Sequence, residues 1–397
     1  MMGVRMATGK ALLILVAVFI ICAGGGVVVS PAAAEELPLV PAVYVFGDST
    51  MDVGNNMYLG NVTPPFPPLP YGIDFPPGSG PNGRFSNGYN MADSISRLLG
   101  FNMSPPAYLS LTPETSVEIL KGFGGVNYAS GGSGILDITG NASLPLSKQV
   151  EYFADTKANM TEASGGNSTD VDALLSKSLF LISDGGNDMF EFFAKNPLDN
   201  SNDQPFYDDL VSNYTEYVKR LHELGARRFG VVGVPPIGCV PVLRALIFPF
   251  GKTLCLSRAN DLAGGFNEKL SVAMAELSAS LPGMKYSMGS SYNLVLNFTG
   301  SPEAAGFNNV NSACCGGGYL GGQAFCSSPN TTYCDNRDDH LFWDGVHCTQ
   351  ATSNKGAKAI YDAPLVEGGF AAPINFRQLL LDDQPPASAV NLLITSA

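Results

Sequence analysis

This 397-residue chain is poor in histidine, tryptophan and charged side chains. It has three histidines and one tryptophan, only 14% of its residues are charged, and its formal net charge is −13. An acidic chain is repelled by nucleic acid and by anionic lipid surfaces, so neither partner is expected. No histidine and cysteine residues have the spacing of zinc ligands, and the glycine-rich stretches at 131–134 and 316–322 lack the context of nucleotide-binding loops. We therefore expect neither a metal nor an organic cofactor.

Long apolar runs are also scarce, and the only prominent one lies near the start of the chain. It spans Ala11 to Ala23, follows two basic residues and precedes the small residues Ala32 to Ala34. The pattern predicts a secretory signal peptide over residues 1–34. A membrane anchor is the alternative, but a spanning helix needs about 20 apolar residues. We therefore expect a secreted, extracellular protein, with one domain over residues 35–397 and a mature charge near −15.

Cysteines and glycosylation sequons agree with secretion. Seven cysteines follow the leader, and in an oxidising compartment most of them should pair. An odd number leaves at least one thiol free or joined to another chain. Eight Asn-x-Ser/Thr sequons mark candidate surface glycosylation sites, at Asn61, Asn102, Asn141, Asn159, Asn167, Asn213, Asn297 and Asn330.

Short apolar runs alternate with helical patterns along the chain. The runs that predict buried strands are 43–46, 126–129, 179–183, 229–234 and about 284–288. The clearest helical stripe extends from about Tyr207 to Leu224, and others cover Leu262 to Leu281 and Asp93 to Leu99. Alternating strands and helices predict an α/β fold whose parallel sheet carries helices on both faces. Ligands bind such sheets at the carboxyl ends of the strands.

Two segments interrupt this alternation. Thr63 to Asn82 is dense in proline and glycine and predicts a long ordered loop near the first strand. Ser312 to Asp339 holds four cysteines and predicts an irregular, disulfide-tied excursion. We expect both segments to shape a pocket. The acidic residues near 335–339 are interpreted as a solvated loop rather than a calcium site.

Ser49 directly follows the first predicted strand and is the candidate nucleophile. The alternative is a turn serine that caps the next helix. A serine hydroxyl needs a base to take its proton, and only His222, His340 and His347 are available. His222 is interpreted as a solvated or border residue of a helix, and His340 as a surface residue.

His347 is the candidate base because Asp344 precedes it by three residues. At that spacing in a turn, a carboxylate can reach the imidazole Nδ1 and fix its tautomer. The other interpretation makes Asp344 the N-cap of a helix over Thr349 to Ile360, and the two roles are compatible.

Glycine-rich turns after two other strands offer candidate oxyanion donors. Asn187 follows the strand at 179–183 and a pair of glycines, while Gly131 and Gly132 follow the strand at 126–129. Backbone N–H groups and a carboxamide are suitable donors toward a developing negative charge. Plain turns are the alternative at each place.

An ordered series of motifs resembles the plant-type GDSL esterase/lipase family of the SGNH hydrolase superfamily over nearly the whole mature chain. The matching blocks are 46–56 (FGDSTMDVGNN), 70–75 (PYGIDF), 83–88 (GRFSNG), 127–136 (NYASGGSGIL), 186–188 (GND), 224–229 (LGARRF), 235–241 (PPIGCVP), 313–316 (ACCG) and 342–347 (FWDGVH). The resemblance implies a flavodoxin-like three-layer α/β/α fold with a central parallel sheet of about five strands.

The same resemblance implies the roles of the site residues. It makes Ser49 the nucleophile, His347 the base and Asp344 its partner. It also implies oxyanion donors from the Ser49 N–H, the Gly132 N–H and the Asn187 carboxamide, with Gly132 chosen by its offset from Asn127. The expected activity is a carboxylic-ester hydrolase that is secreted into the extracellular cell-wall space. It should act as a monomer on a small-molecule or polymeric ester, lipids included.

Two positions depart from the family's pattern. Thr50 replaces the family's usual leucine, and the common His-Pro-Thr-Glu is here His347-Cys348-Thr349-Gln350. Cys348 accounts for the odd cysteine count, so we expect three disulfides, one of them Cys239–Cys255, and a free thiol at Cys348. The altered residues after His347 keep one alternative open, a catalytically weak or inactive glycoprotein that binds a ligand or wall polymer. An acyltransferase is a further alternative, because it would use the same site.

Overall fold

The computed structural model describes residues 37–60, 67–76, 82–140, 142–246, 255–327, 332–366 and 369–381. The predicted signal peptide and the sequons at Asn61, Asn141 and Asn330 lie outside the described residues. The boundary at residues 34 and 35 and the single domain over 35–397 therefore stay predictions. Among the described residues, no helix has both the length and the apolar character to cross a membrane.

A six-stranded sheet forms the centre of the fold. The strands of the chain are β1 (Ala42–Gly47), β2 (Gly124–Asn127), β3 (Leu179–Ser183), β4 (Arg228–Val232), β5 (Lys285–Gly289), β6 (Asn309–Ala313), β7 (Cys315–Gly316), β8 (Thr332–Tyr333), β9 (His340–Phe342) and β10 (Ala371–Ala372). The central sheet has the order β10-β5-β4-β3-β1-β2. Strands β1 to β5 are parallel, and β10 adds an antiparallel edge to β5.

The predicted α/β class and the five parallel strands are confirmed. Each predicted strand lies within two residues of its observed bounds. The additional strand β10 has only two residues, which is too short for an apolar period to show in a sequence. Every residue of β1 is buried, so this strand is covered on both faces, which explains its continuous apolar run rather than an alternating one.

Helices cover the sheet and carry the predicted apolar stripes. They are α1 (Met91–Leu98), α2 (Val117–Leu120), α3 (Leu146–Ala163), α4 (Ser168–Leu175), α5 (Gly186–Lys195), α6 (Asp203–Glu223), α7 (Pro241–Leu246), α8 (Ser257–Ser280), α9 (Ser291–Gly300), α10 (Pro302–Ala305), α11 (Gln350–Asp362) and α12 (Phe376–Leu381). Helix α6 starts four residues before the stripe that predicts it, because its first turn has no fully buried residue and the buried face begins at Tyr207. His222 near its end is buried, with Nε2 2.9 Å from the Pro282 carbonyl oxygen. It is therefore an interior border residue and not a solvated one.

Aromatic side chains join helix α3 to the central sheet. Phe153 of α3 lies edge-on to Tyr44 of β1, with ring centroids 5.0 Å apart. It also meets Phe180 of β3 at 5.1 Å, and both pairs are fully buried. Such packing holds α3, β1 and β3 in place, because protein interiors are close-packed and deform little.

The cysteine-rich excursion is tied down as expected. Disulfides join Cys314 to Cys334 and Cys315 to Cys326, and a third joins Cys239 to Cys255. The predicted pairing of Cys239 is confirmed, and Cys348 is the free cysteine of the described chain. The first two disulfides pack on the fully buried Trp343. They brace the segment that follows Trp343. This segment carries the candidate base, His347, and its partner, Asp344.

Candidate active site

Ser49 stands at the carboxyl end of β1, where a glycine lets the chain turn sharply. Gly47 has φ +140°, and a Cβ at this position would lie 2.0 Å from the Ser183 carbonyl oxygen. Asp48 then donates its N–H to that same oxygen at 3.1 Å. Ser49 caps no helix: its Oγ lies 2.8 Å from Nε2 of His347.

Asp344 and His347 form a tight turn that completes the contact with Ser49. Nδ1 of His347 lies 2.7 Å from Oδ2 of Asp344. The other carboxylate oxygen accepts the backbone N–H groups of Val346 at 2.8 Å and His347 at 2.7 Å. Helix α11 takes its N-cap from Thr349, whose side chain accepts from Thr352 N–H, so Asp344 is not a helix cap.

Tyr71 is a neighbour of this turn that the sequence did not assign. Its hydroxyl donates to Oδ2 of Asp344 at 2.6 Å. The Tyr71 ring lies edge-on to Trp343 at 6.0 Å, and its loop is held by an ion pair between Asp74 and Arg337, in which Nη2 lies 2.8 Å from Oδ1. The sequence identifies the block 70–75 only as a family motif. Nothing in the sequence of this block shows that Tyr71 reaches a carboxylate 273 positions away.

The charges of the turn stabilise one another. Burial alone raises the pKa of Asp344, but His347, Tyr71 and the Val346 N–H together hold that pKa below its usual range. Burial lowers the pKa of His347, and the Asp344 carboxylate, helped by that of Asp48, more than offsets this and raises it. His347 is therefore a stronger base than a free imidazole, and its Nδ1 proton is directed toward Asp344.

Donors that follow β2 and β3, the two strands on either side of β1, complete the site. Asn187 lies in the first turn of α5, and its Nδ2 donates to the Ser133 carbonyl oxygen at 2.8 Å, which leaves a second N–H for a ligand. Gly131 donates its N–H to Asp52 Oδ2 at 2.9 Å. The N–H groups of Gly132 and Ser49, in contrast, meet no acceptor within the described chain.

A buried network behind the site fixes these donors. The Gln149 carboxamide accepts from Gly47 N–H at 2.8 Å and donates to the Gly47 carbonyl and to Ser133 Oγ at 2.9 Å each. Ser133 Oγ in turn donates to Asp184 at 2.8 Å. Burial raises the pKa of Asp184 well above its usual range, and Asp48 raises it further. Gln149 sits on α3 and has no motif of its own, so only the fold identifies it.

The other candidate residues lie outside this arrangement. His340 bonds through Nδ1 to Asp339 Oδ1 at 2.7 Å and to the Asn336 carbonyl at 3.0 Å. Within the described residues there is no cluster of three or more His, Cys, Asp or Glu side chains placed to hold a metal ion. Cys348 lies beside the base, and burial raises the pKa of its thiol to about 12.

The parallel α/β sheet brings a serine, a histidine and an aspartate together at its carboxyl edge, an arrangement found in serine hydrolases of several kinds. The model of the GDSL-like Lipase/Acylhydrolase family matches residues 43–360. The chain therefore belongs to the GDSL-like lipase/acylhydrolase family and is an ester-bond hydrolase.

Relatives in Arabidopsis thaliana agree with this family. One GDSL esterase/lipase is 36% identical over 353 residues, which are 85% of this chain and 92% of the relative. A second is 34% identical over 338 residues, 83% of this chain and 90% of the relative. GDSL esterase/lipase APG is 35% identical over 338 residues, 84% of this chain and 92% of the relative.

Proposed function

We propose that this protein is a secreted carboxylic-ester hydrolase in which Ser49 is the nucleophile, His347 the general base and Asp344 the partner of the base. The observation that carries the proposal is the unbroken chain of contacts from Ser49 Oγ through His347 to Asp344, at 2.8 and 2.7 Å. The first distance suits proton transfer from Ser49 to His347, and the second suits a hydrogen bond by which the Asp344 carboxylate orients the imidazole.

The reaction follows from this arrangement in two halves. His347 Nε2 takes the hydroxyl proton as Ser49 Oγ bonds to the ester carbonyl carbon. The C–O bond to the alcohol then breaks, and His347 returns the proton to the departing oxygen. Water loses a proton to the same nitrogen, attacks the acyl carbon, and the acid leaves as the Ser49 hydroxyl is restored.

The oxyanion of each tetrahedral intermediate is assigned to three donors. These are the N–H groups of Ser49 and Gly132 and the second N–H of the Asn187 carboxamide. Support for choosing Gly132 over Gly131 comes from the bond that Gly131 already makes to Asp52. Removing one such donor from a serine hydrolase costs about 10²–10³-fold in kcat.

Hydrolysis of p-nitrophenyl acetate and butyrate tests the nucleophile. The Ser49→Ala variant should lose at least about 10³-fold in kcat, because only binding and the oxyanion donors remain. Ser147→Ala is the matched control, since it removes an exposed hydroxyl that bonds Asp137 at 2.6 Å. Equal rates for wild type and Ser49→Ala would rule out the assignment. A fluorophosphonate probe should label wild type at Ser49 and leave the alanine variant unlabelled.

Secretion and glycosylation belong to the same proposal. Three disulfides suit an oxidising compartment. Of the sequons in the described residues, those of Asn102, Asn159, Asn167 and Asn297 are exposed and that of Asn213 is half-buried. Expression of the full chain in a secreting eukaryotic host should release the protein into the culture medium. The released protein should begin near Glu35 and lose mass when treated with an N-glycosidase. Retention of residues 1–34 inside the cell would contradict this part.

A further inference from the structure

A small apolar pocket opens directly beside the reactive atoms. Ser49 and His347 form one end, and the far walls come from α1, α9 and α11. The apolar side chains of those walls are Met91, Leu294, Val295 and Phe298, and Gly356 faces them; Pro235, which follows β4, also lines the pocket. None of the described lining residues is Asp, Glu, Lys or Arg, so the occupant is an uncharged, apolar part of the substrate.

The size of this pocket limits what it holds. Its volume is about 110 Å³. An apolar cavity of about 150 Å³ accepts benzene, with six carbons, so this pocket has room for about four. That is the space of an acetyl to butyryl chain.

The pocket wall formed by α9 and α11 cannot easily move outward to admit a longer acyl chain. Leu294 and Phe298 of α9 are 2% and 7% exposed, and Phe298 packs edge-on against the buried Phe307 at 5.5 Å. Across the pocket, a Cβ on Gly356 would lie 3.2 Å from Met91 Cε and 3.7 Å from Leu294 Cδ1. Additional methylenes would have to displace packed core side chains, which is unfavourable.

The acyl arm of the ester, rather than the alcohol, is the part that this small pocket suits. The acyl carbon stays bonded to Ser49 Oγ through both halves of the reaction, whereas the alcohol must depart and water must enter. We propose that the enzyme is specific for esters of short acyl chains, of about two to four carbons, and that Phe298 and Gly356 set this limit. The inference rests on the proposed function of Ser49.

An acyl series with a constant leaving group tests the limit. With p-nitrophenyl acetate, butyrate and octanoate below their solubility limits, kcat/KM should fall about tenfold from butyrate to octanoate. In a long apolar channel each added methylene contributes about fourfold in binding, so the same step would instead raise kcat/KM by up to about 200-fold. Octanoate as good as butyrate would overturn the limit.

Two variants move the wall in opposite directions. Phe298→Ala should raise the ratio of kcat/KM for octanoate to kcat/KM for butyrate about tenfold. Gly356→Ala should raise the corresponding ratio for acetate over butyrate about fivefold. Gly356 lies inside α11, where alanine is the better helix former, so this variant should fold. Leu296→Ala, an exposed position of the same helix as Phe298, is the control and should leave both ratios unchanged. Unchanged ratios in both wall variants would overturn the assignment.

Further measurements separate the two proposals. Acetate esters of methyl to octyl alcohols, followed by acid release, should show no comparable fall with length. A fall in that series alone would place the alcohol in the pocket and overturn the acyl assignment. Wild type that labels at Ser49 yet prefers long acyl chains contradicts only the chain-length limit. Wild type that neither labels nor hydrolyses any ester contradicts the proposed function and this inference with it.

Discussion

Replacing Asp344 by asparagine separates the orienting role of this carboxylate from its space-filling role. Four donors surround its two oxygens: two backbone N–H groups on Oδ1, and His347 Nδ1 and the Tyr71 hydroxyl on Oδ2. An asparagine has only one acceptor oxygen. The two backbone donors cannot rotate, so the amide oxygen should face them and the NH₂ group should face His347.

That arrangement reverses the histidine tautomer. Nδ1 must then accept from the NH₂ group of the introduced amide, so Nε2 carries the proton and donates to Ser49 Oγ instead of receiving from it. The partner charge that stabilises the imidazolium is lost as well. The expected loss in kcat is about 10³–10⁴-fold, or ~4–5.5 kcal/mol at 1.36 kcal/mol per decade. KM should change little, because Asp344 is 5% exposed and lies behind the imidazole.

The assay is p-nitrophenyl butyrate hydrolysis at pH 8, with the melting temperature of each variant as a check on folding. The chain offers a matched control in Asp339, whose Oδ1 lies 2.7 Å from Nδ1 of His340 in an Asp–His contact of the same kind. Asp339→Asn should keep near wild-type kcat. A folded Asp344→Asn variant that keeps more than a tenth of wild-type kcat would refute the tautomer argument.

Three further predictions concern the base, the oxyanion donor and the free thiol. Asp344 and Asp48 raise the pKa of His347, so kcat/KM should fall as the pH decreases through a midpoint above about 6.5. The Asp48→Asn variant should have a lower midpoint. A wild-type pH–rate profile with a midpoint below about 6 would contradict this prediction. Asn187→Ala should reduce kcat about 10²–10³-fold with little change in KM, and an unchanged kcat in steady-state assays would remove Asn187 from the oxyanion site. Denatured, non-reduced mature protein should titrate with one thiol per chain, and since the pKa of Cys348 is about 12, that thiol should react slowly while the protein is folded; two or more thiols would contradict the disulfide set.

Local patterns in the sequence were sufficient for the parallel sheet and for the candidate nucleophile, base and acid. Apolar runs without alternation predict buried parallel strands, and the five such runs became β1 to β5. A serine one turn beyond such a strand stands at the ligand-binding edge for geometric reasons. An aspartate three residues before a histidine can meet it within one turn, so this contact needs no tertiary information.

The contacts that cross the chain required the tertiary structure. Tyr71 and Gln149 act on residues 273 and 102 positions away, and no periodicity or spacing rule connects such pairs. The choice between Gly131 and Gly132 likewise depends on which N–H the buried Asp52 accepts. The size of the pocket is set by how α1, α9 and α11 pack, which composition does not specify. The sequence therefore determines which groups can react, and the packing determines how they are held and what fits beside them.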